Sequence, residues 1–266
     1  MRILIIIPRH RVNLSPDEEI SKQHYRRFLT GFETRIIKPA SLKINHPGFP
    51  ILDFPDEYFQ SIQTYSRLLL TPMFYETLLD YDYILIYQPD ALVFSDQLPA
   101  FCEAGYDYIG APIFRKHTGG KLQLSRVGNG GMSLRKVSSF LAALNSRRYT
   151  EEPVSLLEDF RSAPLPDLTD WPIRKRLLKK LRILRSVRVG VKSYTGNYSL
   201  NEDLFWSDRA KLFYPGFKVA PLDVGLKFSF ERHPRYCYEL NGRKLPFSCH
   251  AWAKWDREFW EPFLLT

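Results

Sequence analysis

No stretch of this sequence approaches the roughly 18 consecutive apolar residues that a membrane-crossing helix needs. Cysteine is scarce as well. Cys102, Cys237 and Cys249 are an odd number, and no Cys-x-x-Cys pair occurs. That argues against a disulfide framework or a cysteine-rich zinc site and points to a reducing, cytoplasmic setting. The opening MRILIIIPRH has too short an apolar run for a secretory leader and no small-residue cleavage site. It is expected to be a buried first strand. Internal repeats and low-complexity tracts are also missing.

Acidic residues are absent from one place in particular. Between Arg174 and Lys192, RKRLLKKLRILRSVRVGVK, nine residues are Lys or Arg and none is Asp or Glu, so this segment accounts for the net charge of +9. Ile173, Leu177, Leu181, Leu184 and Val187 recur at helical spacing among Arg174, Lys175, Lys179, Arg182 and Arg185. A basic amphipathic helix over about 171–190 is therefore expected. Such a helix can lie on an anionic membrane, making the protein peripheral on the inner face, or pack on a sheet with its charges solvated. No nucleic-acid-binding motif accompanies the charge, so nucleic acid is not an expected partner.

What is present is a core: 44% of residues are hydrophobic and 15% aromatic, enough for one large domain spanning 1–266 or two small ones. Arg2–Pro8 and Tyr81–Tyr87 are apolar runs without alternation, as in strands covered on both faces. Thr34–Pro39 is a further strand, and Tyr58–Leu79 is expected to be mainly helical, ended or kinked at Pro72. A short helix is expected over Ser95–Glu103 and a strand edge at YDYIGAP. Strands and helices alternate through the first half, which favours an α/β fold with a mostly parallel central sheet flanked by helices. In such sheets ligands gather at the carboxyl ends of strands. That rule places Pro8, Arg9 and His10 on the same rim as Gln88, Pro89 and Asp90.

Four pieces can carry chemistry, and each has a plainer alternative. Gln88-Pro89-Asp90 stops a buried strand on a carboxylate, which can hold a hard divalent cation or simply cap a turn. Asn129, Gly130 and Gly131 in GNGGMSLR allow a ligand close to the backbone, or make a tight hairpin turn. Asn201, Glu202 and Asp203 open a helix in NEDLFW, where acids complement the helix dipole, or one acts as a general base. His250 in PFSCHAWAKW is a satisfied buried histidine, or an imidazole that completes a metal site or touches a diphosphate. Lys254 shares its side if the stretch is helical.

Taken in order, TYSRLLL, YILIYQPDALVF, GNGGMSLR, NEDLFW and CHAWAKW resemble the layout of nucleotide-sugar-dependent glycosyltransferases of the GT-A fold. The spacing is similar to that of the glycogenin and lipopolysaccharide-galactosyltransferase type. It is closer still to a bacterial family classed with them, whose members share YQxDALVF, GNGG-SLR, EDxFW and CHAW. The resemblance covers roughly residues 65–262.

It implies a GT-A-like single domain with a nucleotide-binding half over about 1–125 and an acceptor half over about 126–266, the basic segment being inserted. It implies a nucleotide sugar, a UDP-sugar first, as donor, and a saccharide or lipid-linked glycan, such as a lipopolysaccharide or capsule chain, as acceptor. Tyr65 and Arg67 would then lie beside the donor nucleotide, with Pro8 and Arg9 on the same rim. Gln88 and Asp90 would occupy the two places of an Asp-x-Asp motif. Asn129, Gly130 and Gly131 would line the sugar pocket, and Asp203 or Glu202 would be the base of an inverting transfer. His250 would join Asp90 on Mn²⁺ or Mg²⁺, with Lys254 at the leaving diphosphate.

The first carboxylate of the motif is replaced here by Gln88. That either leaves the ion to Asp90, His250 and the diphosphate, or passes its task to Arg67, Lys254 or Arg135. It also keeps open a non-catalytic nucleotide- or carbohydrate-binding protein of the same fold, beside a membrane-surface scaffold built on residues 174–192.

Overall fold

The computed structural model describes residues 1–44, 48–116, 122–150 and 189–265. The basic segment 174–192 falls outside them except for its last four residues, so the amphipathic helix expected there lies outside the described residues.

The strands in chain order are β1 (Ile3–Pro8), β2 (Glu33–Pro39), β3 (Ile51–Phe54), β4 (Tyr83–Tyr87), β5 (Leu92–Val93), β6 (Tyr108–Ile109), β7 (Ala111–Lys116), β8 (Leu122–Gly128), β9 (Met132–Lys136), β10 (Tyr149–Thr150), β11 (Val189–Gly190), β12 (Ser229–Phe230) and β13 (Ser248–Cys249). The central sheet has the order β3-β2-β1-β4-β9-β6. The pairings from β3 through β4 are parallel, while β9 runs antiparallel to both β4 and β6. This is the α/β class with a mostly parallel central sheet.

Both faces of the sheet are covered, as the unalternating strands require. Leu4, Ile6, Ile84 and Ile86 enter one hydrophobic cluster, and Ile3, Ile5, Leu85 and Tyr87 enter the other. The first helix, α1 (Pro16–Phe28), starts on a capping box between Ser15 and Glu18.

The segment expected as one kinked helix is instead broken twice. After a 3₁₀ turn at Asp56–Phe59, α2 (Ile62–Leu68) starts on a reciprocal Ser61–Thr64 cap, and α3 (Pro72–Glu76) starts at Pro72 with Thr71 as its cap. Proline fits the first helical position because that N–H has no intrahelical partner. Pro72 thus begins a helix rather than ending one. The next two helices, α4 (Leu98–Glu103) and α5 (Val137–Leu144), pack beside β4, β6 and β9.

The register positions the site. Tyr87 pairs with Met132, so the 129–131 turn before β9 meets the carboxyl end of β4. β8 pairs with β7 and β9 with β4 and β6, so GNGG is no hairpin turn: it passes the chain from a two-stranded ribbon into the central sheet. A third sheet, β12-β13-β5, brings the ends of β12 and β13 to the same edge.

Candidate active site

β4 is buried along its length, and the chain then turns through Gln88, Pro89 and Asp90, with Ala91 N–H donating to the Gln88 carbonyl at 3.0 Å. Antiparallel pairing of β5 with β13 returns the chain so that His250 lies over this turn. Its Nε2 donates to Gln88 Oε1 at 3.0 Å and stands 3.4 Å from Asp90 Oδ1. β12, parallel to β13, delivers Glu231 to the other ring nitrogen, with Oε1 3.5 Å from Nδ1.

Burial works against a charged His250, yet the nearby carboxylates of Asp90 and Glu231 raise it to about 10. Burial likewise works against a charged Asp90, but the adjoining His250 ring and the charge of Lys254 hold its carboxyl below the ordinary value. The ring stands between two carboxylates with 13% of its side chain exposed, and Asp90 keeps 43% of its side chain exposed.

Asn129 adopts φ 79°, in the left-handed region, where asparagine is among the tolerated residues. Its N–H donates to Asp203 Oδ2 at 2.8 Å, its Oδ1 accepts from Gly131 N–H at 2.9 Å, and its carbonyl accepts from Tyr108 Oη at 2.9 Å. Two atoms of this knot, Asn129 Nδ2 and Asp203 Oδ1, are buried and have no hydrogen-bond partner among the described residues. The two glycines are needed for close approach: a Cβ at Gly131 would overlap the His250 ring, and one at Gly130 would overlap the Glu202 carboxylate. Burial first, and then the charge of Glu202, raise the Asp203 carboxyl to about 6.

Asn201 makes no side-chain cap to the helix Glu202–Leu204, while Glu202 and Asp203 do stand in its first turn, where acids complement the dipole. Glu202 is engaged elsewhere. Its Oε1 accepts from Arg135 Nη2 at 2.7 Å and its Oε2 from Ser66 Oγ at 3.1 Å. Arg135 is fully buried, and its other nitrogens donate to Ser133 Oγ and Tyr75 Oη. This guanidinium is committed to holding Glu202 beneath Gly130 and is not free for a leaving group.

The outer candidates are placed as follows. Pro8 is half-buried, while Arg9 is buried and donates to the carbonyls of Arg11 and Val12, bracing the loop after β1. Burial pushes the Tyr65 phenol far above its ordinary value, with Arg135 and Glu202 as its charged neighbours. Arg67, the next but one residue on α2, is exposed and lines a separate cavity. Lys254 is exposed, its Nζ 5.1 Å from the centroid of the Trp255 ring. It reaches the site from a turn: Ala251 has φ 51°, and Lys254 N–H donates to the Ala251 carbonyl at 3.0 Å. The helix that would have stacked it on His250 is not formed.

Sequence reasoning missed Glu231 and Ser66. Glu231 does carry the signal that marked Asp90, an apolar strand stopping on a carboxylate in FSFE. Among the described residues no group of three or more His, Cys, Asp and Glu side chains is placed to hold a metal ion.

A family model described as "Protein of unknown function (DUF5672)" matches residues 48–250. The chain belongs to this family. The DUF5672 match takes in Gln88, Asp90, the GNGG turn, Glu202, Asp203, Glu231 and His250, hence the whole cluster just described. No curated protein matches this DUF5672 chain. Among solved structures, it is similar to a glycosyltransferase involved in glycosylation of the major capsid of PBCV-1, at 10% identity and a TM-score of 0.44, over 98% of both chains. It is similar to the galactosyltransferase LgtC in complex with donor and acceptor sugar analogs, at 15% identity and a TM-score of 0.45, over 99% of this chain and 96% of that one. A further likeness is to apo GlyE of Streptococcus pneumoniae TIGR4, at 13% identity and a TM-score of 0.40, over 99% of this chain and 60% of that one.

Proposed function

We propose that this DUF5672 protein is a glycosyltransferase that moves a sugar from a nucleotide-sugar donor, a UDP-sugar first, to a saccharide or lipid-linked glycan. The observation that carries the reading is the Asn129–Asp203 pair. Among the described residues, one buried amide nitrogen and one buried carboxylate oxygen lack partners on two residues tied by a backbone hydrogen bond. Leaving such groups unpaired costs roughly 1–3 kcal/mol each. Neighbouring hydroxyls of a sugar ring, one accepting from Nδ2 and one donating to Oδ1, would remove that cost. The ordered motifs of the sequence support the same reading.

Mn²⁺ or Mg²⁺ fits beside this pair. Gln88 Oε1 and Asp90 Oδ1 lie 3.0 and 3.4 Å from His250 Nε2, with Glu231 behind Nδ1 as an orienting carboxylate. One carboxylate, one imidazole and one amide oxygen suit a cation that shares its coordination with diphosphate oxygens and water, rather than an all-protein cage. To ligate, His250 gives up the Nε2 proton it now donates to Gln88. The bound ion would supply Lewis-acid stabilisation of the charge on the departing diphosphate. Lys254 adds a cation at the exposed rim, where its charge reaches Asp90.

Asp203 is the base in this reading. Its Oδ2 is pinned by Asn129 N–H, its Oδ1 has no partner among the described residues, and a carboxyl raised to about 6 is ionised at neutral pH. In an inverting transfer it takes the proton of the acceptor hydroxyl as that oxygen bonds to the sugar and the sugar–diphosphate bond breaks. Glu202, held by Arg135 and Ser66, shapes the floor under Gly130 instead.

A second reading, binding of nucleotide or carbohydrate without transfer, is favoured by the neutral Gln88 where a second carboxylate would strengthen metal binding. Calorimetric titration with UDP and UDP-sugars, with and without Mn²⁺, tests both. Metal-dependent binding that Asp90→Ala weakens at least tenfold, with donor turnover lost in Asp203→Asn, is the expected result. No nucleotide binding in either condition sinks both readings, and tight binding without turnover selects the second.

A further inference from the structure

A cavity of about 760 Å³ lies beside α2, apart from the residues of the candidate active site. Tyr58, Gln60, Thr64, Arg67, Lys192 and Thr195 contribute to its lining, and none of Gln88, Asp90, Asn129, Asp203 and His250 does. Ser66 of α2 reaches Glu202, while Arg67, the next residue, lines the cavity.

The groups free to meet a ligand can be separated from those already used. Thr64 Oγ1 donates to the Ser61 carbonyl at 3.0 Å and Thr195 Oγ1 to the Val191 carbonyl at 3.0 Å, so both hydroxyls serve their own helices. Arg67 and Lys192 are exposed and make no ion pair with the described residues, and the Gln60 amide makes no side-chain hydrogen bond there. Glu57 is the one acid of the lining among the described residues. The cavity therefore presents a guanidinium, an ammonium and a primary amide against a single carboxylate, beside the Tyr58 ring and the apolar Leu70, Pro72 and Met73.

We propose that this cavity binds an acidic saccharide, a sugar chain bearing carboxylate or phosphate. Its volume falls within the range of about 300–1,000 Å³ usual for small-ligand sites. The Arg67 fork suits bidentate pairing with a carboxylate or phosphate, Lys192 adds a point charge, and Gln60 both donates and accepts, as hydroxyls require. The apolar wall and Tyr58 suit the C–H faces of sugar rings. Ser66 and Arg67 leave α2 in different directions, to Glu202 and to this cavity, and none of Asn129, Asp203 and His250 lines it, so the ligand here is distinct from the sugar being transferred. On the transferase reading, on which this placement rests, the cavity holds the part of the acceptor remote from the reacting hydroxyl.

The test titrates trigalacturonate, maltotriose and inorganic phosphate separately onto the full chain, and then trigalacturonate onto the chain saturated with UDP and Mn²⁺. Trigalacturonate is expected to bind at least tenfold tighter than either maltotriose or phosphate, and equally well with UDP present. Arg67→Glu and Lys192→Glu should each weaken it tenfold or more without lowering Tm, since both side chains are exposed. Glu57→Gln should tighten it severalfold, a gain that damage to the fold cannot produce.

Trigalacturonate bound no better than maltotriose, unaffected by Lys192→Glu, or displaced by UDP, overturns the proposal. Phosphate binding as tightly as trigalacturonate overturns it too, reducing the cavity to a simple anion site. Trigalacturonate binding in a chain that binds no UDP would sink the transferase reading while upholding the acidic-saccharide site.

Discussion

The Asn129 N–H holds Asp203 Oδ2 at 2.8 Å across 74 residues of sequence. This tie fixes which carboxylate oxygen is free, and it makes Asp203 the group on which the proposed chemistry turns. Asp203→Asn keeps an oxygen for the Asn129 N–H but cannot accept a proton. It should lower transfer by about 10²–10⁴ while leaving the UDP dissociation constant within about threefold, as read by steady-state kinetics beside calorimetry. In the parent protein kcat/KM should climb with unit slope to about pH 6 and then level, because the base works ionised. A parent profile flat from pH 5 to 8 would remove Asp203 from the role.

The same carboxyl should leave a mark on stability. Its folded value, about 6, is raised above the ordinary 3.8. The folded state therefore holds the proton more tightly than the unfolded chain does. The stabilisation is full below about pH 4 and is lost as pH rises through about 6. Asp203→Asn cannot ionise and escapes the loss. Its Tm should exceed that of the parent at pH 8, by an amount worth roughly 1–3 kcal/mol, and the two should converge at pH 4.

Gly131 should tolerate no side chain. Gly131→Ala pushes a methyl group into the His250 ring, and overpacking of this kind costs about 1–3 kcal/mol. Mn²⁺-dependent UDP binding should fall at least tenfold. Gly31→Ala, where a Cβ meets nothing within 4 Å, is the matched control and should change neither quantity.

Arg135 should matter through charge balance. Arg135→Met leaves the Glu202 carboxylate buried and uncompensated, which should cost about 3–5 kcal/mol by denaturant melts. Adding Glu202→Gln should recover much of the loss, because the stranded charge is gone. A double variant no more stable than the single one would mean that packing of the guanidinium, not its charge, is what counts.

Gln88 offers a gain of function at the metal. Gln88→Asp supplies a second carboxylate beside Asp90 and His250, so Mn²⁺ affinity in the presence of UDP, measured by electron paramagnetic resonance, should rise about tenfold or more. His250→Ala should abolish the increase. An unchanged affinity in Gln88→Asp would place the ion away from this strand end.

Much of this arrangement was legible residue by residue. The uninterrupted apolar runs of β1 and β4 announced strands buried on both faces, and strand ends at Pro8 and Tyr87 marked the edge where the polar residues gather. His250 stood out as a histidine set between Cys249 and aromatic residues. What escaped was non-local. β12 is two residues long, and Glu231 reaches His250 only because β12 and β13 run parallel in one register. Glu202 read as an acid at a helix start, but its partners Arg135 and Ser66 lie 67 and 136 residues away. GNGG carries the composition of a hairpin, and only the pairing of β9 with β4 shows otherwise. Within Tyr58–Leu79 the breaks came from competing local caps at Ser61 and Thr71, which overrode a helical apolar pattern.

The placement of β9 has a consequence for how this polypeptide assembles. The strand follows β6, β7 and β8 in the sequence yet lies between β4 and β6, bonded to both. During synthesis the β4 edge therefore stays open until residue 136 has emerged, and a fragment ending near residue 125 would carry that unpaired edge permanently. Such fragments invite strand exchange between copies. Split versions of the protein should therefore reconstitute only when the second piece supplies β9, and the strand that completes the sheet is the same one that carries the Asn129 turn into the site.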